Sequence, residues 1–70
     1  MKNIKRELFE KLKKISNDKD FVVGVISNAG TYENYQELIN FIDRGENVTV
    51  ENLIALSILL DDSTEKQKPQ

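Results

Sequence analysis

Asp18 and Asp20 stand two residues apart, as the first two carboxylates of a calcium-binding loop do. Such a loop next needs a third oxygen ligand and a glycine for its sharp turn; here those places hold Val22 and Val23. The calcium reading fails. Gly24 and Gly30 do not make the glycine-rich turn that cradles a phosphate. The chain has no histidine and no cysteine. It therefore lacks the commonest base near neutral pH, the thiol nucleophile and the usual zinc ligands. Carboxylates, lysines, Ser16, Ser27, Ser57, Ser63 and two tyrosines remain. Ser57 lies in an apolar run with no candidate base in its own turn, so it reads as a small residue that lets another helix approach. Asn47-Val48-Thr49 fits the glycosylation acceptor pattern, but no secretory signal accompanies it, and it reads as loop and cap. The expectation is a protein that is not an enzyme, with no catalytic residue, no cofactor and no metal.

Binding is the better prospect. Leu53 to Leu60 reads Leu-Ile-Ala-Leu-Ser-Ile-Leu-Leu, a helical run that is apolar on nearly every side. An ordinary surface helix carries one apolar stripe and a polar back. A helix without a polar back must be covered all round, which three short companions can hardly do. The surplus apolar surface implies a protein partner or self-association, with a homodimer as one form. An inner arc of Val50, Leu53, Ile54 and Leu60 would leave Leu56 and Leu59 as the exposed seam, and these two are the expected partner-binding residues.

A chain of 70 residues makes one domain and buries only about 60% of its unfolded surface. Its 39% hydrophobic and 31% charged content is that of a globular protein. Without cysteine no disulfide can staple so small a core, and association is one remedy. Charge is split along the chain. Residues 1–17 carry Lys2, Lys5, Arg6, Lys11, Lys13 and Lys14 against Glu7 and Glu10, a net +4, while the remainder carries −6, for −2 in all. Such asymmetry can steer a partner. Within a helix it also reads as a solvated face supported by Glu7–Lys11 and Glu10–Lys14 pairs. The charged start has no apolar run after it, and the apolar run near the end is too short to span a membrane. The expected location is cytoplasmic, with no membrane partner. Richness in Lys, Asn, Ile and Glu points to an AT-rich bacterial or phage genome.

The elements follow from spacing and caps. Ile4, Leu8, Leu12 and Ile15, with Phe9 beside them, set a helix over about 2–16. Phe21 to Ile26 has the β-branched density of a strand. On a helical wheel, however, Phe21, Val22, Val25, Ile26 and Ala29 span one arc of roughly 140°, with only Val23 on the wrong side. Asp18 can cap that helix and Gly30 can end it, so a helix over 19–29 is predicted. Thr31 caps a third helix, 32–44. Its inner face is Tyr32, Tyr35, Leu38, Ile39, Phe41 and Ile42, and Gly45 stops it. Thr49 caps a fourth over 50–60, and Ser63 to Gln70 reads as a flexible polar tail. No internal repeat is visible. The expected fold is all-α: a single small domain of four short helices over residues 1–62, followed by the tail 63–70.

Two pieces within residues 29–60 resemble the lambda-repressor-like (Cro-type) helix-turn-helix family. Ala29-Gly30 is similar to the turn between that family's second and third helices. Phe41-Ile42-Asp43-Arg44-Gly45, with Val48 to Leu56 after it, is similar to its acid-x-Gly turn and following helix. The resemblance implies a DNA-binding regulator as the alternative function. Its base-reading positions would fall near Glu33, Asn34, Gln36 and Glu37, and Asn34 and Gln36 could pair with adenine. Lys5, Lys13 and Lys14 would be the phosphate contacts. The chain is longer than the family pattern between Gly30 and Gly45 by about one helical turn, and Thr31 replaces an apolar anchor. Carboxylates beside Asn34 and Gln36 would repel phosphates, so the acidic third helix disfavours nucleic acid.

Overall fold

Every helix among the described residues begins at a side-chain oxygen. The computed structural model describes residues 3–67. It contains α1 (Ile4–Ile15), α2 (Lys19–Ala29), α3 (Tyr32–Arg44) and α4 (Val50–Gln67), with no strand among the described residues. Asn3 Oδ1 accepts from the Arg6 amide and starts α1 two residues later than its apolar spacing suggests. Asp18 Oδ1 accepts from the Asp20 amide at 2.9 Å and starts α2. Thr31 and Thr49 accept from the Asn34 and Asn52 amides and start α3 and α4. Each cap satisfies a donor that the first helical turn leaves without a partner. At the other ends, Gly30 (φ 70°) and Gly45 (φ 73°) take the left-handed conformation that a side chain disfavours, and stop α2 and α3.

The valine-rich segment is a helix. Phe21, Val22, Val25 and Ala29 are buried on its inner side, and Val23 is 56% exposed on the outer one.

Two corners of the molecule are built alike. Thr31-Tyr32-Glu33-Asn34 and Thr49-Val50-Glu51-Asn52 share the pattern Thr-x-Glu-Asn. In each the threonine caps, and the asparagine side chain reaches back across the connection. Asn34 Nδ2 donates to the Ala29 carbonyl and Asn52 Nδ2 to the Asn47 carbonyl, both at 2.8 Å. The carbonyls so held adjoin the left-handed residues Gly30 and Asn47 (φ 58°). The repeat is four residues long, too short to register as a repeated structural unit.

Helix α4 runs past Leu60, where the leucine-rich run ends, to Gln67. Asp61 and Asp62, unfavourable at a negative helix end, therefore lie inside the helix. Nothing from Asp61 to Gln67 breaks a helix; Pro69 is the first residue that does. Of the expected tail, residues 63–67 continue the helical backbone and 68–70 lie outside the described residues.

The four helices pack as a square. Helix α2 lies most extensively on α4 and α1 on α3, with smaller α1–α2 and α3–α4 contacts, while α1 and α4 barely touch across the diagonal. Leu8 and Leu12 from α1, the four α2 residues, Leu38 and Ile39 from α3, and Leu53 from α4 form the core. Each buried leucine contributes on the order of 1.5–3 kcal/mol. Tyr32, expected on the inner face of α3, is 64% exposed: it sits in the first turn, beyond the reach of the core. Lys11, expected to pair with Glu7, instead holds Asp43 of α3 at 2.9 Å, and the charged pair formed along α1 is Arg6–Glu10.

Candidate interaction surface

Helix α4 is divided by which residue turns inward. Ser57 and Leu53 are fully buried against the neighbouring helices. Val50, Leu56 and Leu60 pack half-buried beside them. Ser57 Oγ donates to the Ile54 carbonyl at 2.8 Å and accepts from Asn28 Nδ2 at 3.2 Å, so its hydroxyl joins α2 to α4 and is not available as a nucleophile. A small side chain at the crossing lets two helices approach closely, and its hydrogen bonds remove the penalty of burying a polar group.

The inward arc, from Leu56 through Leu53 and Ser57 to Val50, is turned by roughly 40° from the expected arc of Val50, Leu53, Ile54 and Leu60, at 100° per residue. Ile54 consequently faces outward. So do Ala55, Ile58 (54% exposed) and Leu59 (65% exposed), in a stripe of about 140° on the wheel. Glu51 and Asp62 fall within the same arc, one near each end, and are exposed. Of the two residues expected to be exposed, Leu59 is exposed and Leu56 is drawn half into the core. Ile54 and Ile58 are exposed in its stead. The signal that could have found them is the serine: a small polar residue in an apolar run marks the tightest crossing.

A second feature lies beside α2. Two open recesses share Val23 as a wall, one lined from α1, α2, Gly30 and Tyr35 of α3, the other from α1, Asn17 and α2. Lys5 borders one, and Phe9, Lys13 and Lys19 border the other. No carboxylate is among the residues that line either. The Lys13 ammonium lies 5.4 Å from the centre of the Phe9 ring, a cation–π arrangement that keeps the half-exposed ring partly covered.

The residues expected to read DNA are dispersed. Asn34 is 7% exposed and its side-chain amide is committed to the Ala29 carbonyl. Gln36 is half-buried and bonds Asn40 one turn on, while Lys14 is exposed on α1. Asp18 and Thr49, from the calcium-like and glycosylation-like patterns, both serve as caps. Among the described residues no three acidic side chains gather as a metal site would require, and no helix is long and apolar enough to cross a membrane. No known protein family, curated protein or solved structure matches this chain.

Proposed function

We propose that this chain is a small, non-enzymatic helical interaction module that associates with copies of itself through the outward side of α4. The observation that carries the reading is the stripe Ile54, Ala55, Ile58 and Leu59, exposed on the element whose other side forms part of the core. Isolated surface leucines need no explanation, but a continuous apolar stripe along one helix marks a surface that another surface covers. The small size of the core adds to the argument, because a chain this short gains proportionately from each further apolar side chain it buries.

Sedimentation equilibrium from low to high micromolar concentration tests the proposal. The weight-average mass should rise above that of one chain, and Leu59→Lys should return it to one chain without loss of helical circular dichroism. A native protein that stays at the single-chain mass throughout would overturn the reading.

DNA recognition has less behind it. Lys5, Lys13 and Lys14 are on α1, not on the two helices that the Cro-type resemblance would assign to the groove, and Asn34 is engaged internally. Titration with duplex DNA at low salt decides the matter. A protein that contacts phosphates loses affinity with a logarithmic salt slope near −0.9 per phosphate.

A further inference from the structure

We infer that the cleft between α1 and α2 receives an acidic, amphipathic helical segment of another protein, one that carries an apolar residue with a carboxylate one helical turn to either side. The inference goes beyond the self-association read from α4 and does not depend on it.

The cleft is built from two matching rows. On α1, Lys5, Phe9 and Lys13 recur every fourth residue, and on α2, Lys19, Val23 and Ser27 do the same. Residues so spaced follow one another along a single side of a helix. Lys13 and Lys19 line one recess and Lys5 and Ser27 line the other, so the rows run in opposite directions. Each row is polar at both ends and apolar in the middle, where Phe9 is 39% and Val23 56% exposed. Tyr35 of α3 adds to the Lys5 end, and buried Val22 lies beneath the other.

Charge sets what fits. Among the described residues, Arg6 and Lys11 hold Glu10 and Asp43, whereas Lys5, Lys13 and Lys19 hold no carboxylate. Asp18 caps its own helix, and Asp20 stands outside the lining of both recesses. Three ammonium groups around an apolar middle attract a surface of the opposite sign, and their stems can lie along a guest's apolar side chains. Successive members of a row are about 6 Å apart along the axis, at 1.5 Å per residue. Residues four apart on a guest helix have the same rise. Acid, apolar residue and acid therefore meet lysine, the Phe9–Val23 pair and lysine in register.

The guest is not this chain. Its carboxylates eight residues apart are Glu10–Asp18 and Asp43–Glu51, each spanning a helix end, with Lys14 and Asn47 midway. Nor does the cleft suit a nucleic-acid strand. The middle of each row has no cation for a continuing phosphate chain, and the Lys13 ammonium already lies 5.4 Å from the centre of the Phe9 ring, where a base would stack.

The test is titration of the full chain into a fluorescein-labelled synthetic peptide, a helical alanine–glutamine sequence with Glu, Leu and Glu at intervals of four. The native chain should bind it, and added salt should weaken the binding. Lys13→Glu and Val23→Glu, both at exposed positions, should keep their helical circular dichroism and bind roughly tenfold or more weakly. Lys14→Glu makes the same change of charge one residue along α1 but outside the cleft, and should bind within about twofold of the native chain. Amide chemical shifts should move along residues 5–13 and 19–27. A native chain that does not bind the peptide overturns the inference. So does an equal loss in Lys14→Glu, which would mean attraction by net charge alone. If oligothymidylate binds as tightly as the peptide, and through Lys13, the cleft serves nucleic acid and the inference falls.

Discussion

Helices α1 and α4 occupy opposite corners of the same square, and each gives one side to the core through fully buried leucines: Leu8 and Leu12 in one, Leu53 in the other. They differ in what they show outside. Around the half-exposed Phe9, α1 turns Lys5, Arg6, Glu10, Lys13 and Lys14 to solvent, while α4 turns out Ile54, Ala55, Ile58 and Leu59. Burial therefore accounts for most of the apolar residues of α1 and only about half of those in the α4 run. The lesson is that the apolar content of a helix says how much surface it covers in total, and only packing says which part its own chain can cover.

The comparison breaks most visibly at buried against outward leucines. Leu53→Ala should lower the unfolding free energy by about 2–5 kcal/mol, as cavity-forming substitutions in a core do. Leu59→Ala, two turns along the same helix, should change it by no more than about 0.5 kcal/mol in dilute solution. Chemical denaturation followed by circular dichroism measures both. Equal losses would mean that α4 has no outer side.

A smaller effect tests why α4 faces as it does. Ser57→Val fills the α2–α4 crossing and leaves Asn28 without its hydroxyl acceptor. Overpacking of this kind costs about 1–3 kcal/mol, and Ser57→Ala, which removes only the hydrogen bonds, about 1 kcal/mol. Thermal unfolding should rank native, alanine and valine in that order.

The smallest effect belongs to α1. The hydrogen bond and charge of Asp43 raise the Lys11 ammonium above its ordinary value of 10.5, against a lesser opposing effect of burial. A folded value above the unfolded one stabilises the fold wherever lysine is protonated in both states. That contribution is complete below about pH 10 and disappears as pH rises through the folded value. Lys11→Met should cost about 0.5 kcal/mol at neutral pH, the scale of a partly exposed pair. Denaturation of the native chain and the variant should converge once the pH passes the raised folded value.

Local chemistry made much of this architecture legible in the sequence. Asp18, Thr31 and Thr49 as caps, Gly30 and Gly45 as stops, and Val23 as the one outward valine of α2 are properties of a few adjacent residues, and the structure has each of them. What escaped depends on residues far apart. Lys11 prefers Asp43, 32 positions away, to its neighbour Glu7. Asn34 is buried because the end of α2 offers it a carbonyl. The candidate surface was half legible: Leu59 could be placed outside from the wheel alone. Ile54, Ile58 and the inward shift of Leu56 follow from Ser57 meeting Asn28, a contact no periodicity reveals.

The paired Thr-x-Glu-Asn corners bear on how copies of this chain can exchange material. Domain swapping requires a connecting segment to straighten so that one element can leave its own body and enter another's. Both connections flanking α3 are clasped from within by an asparagine, and opening either would break that hydrogen bond, the buried one at Asn34 at the greater cost. Any oligomer of this protein should then be made of intact bodies laid against one another, and dilution alone should return each to its starting form.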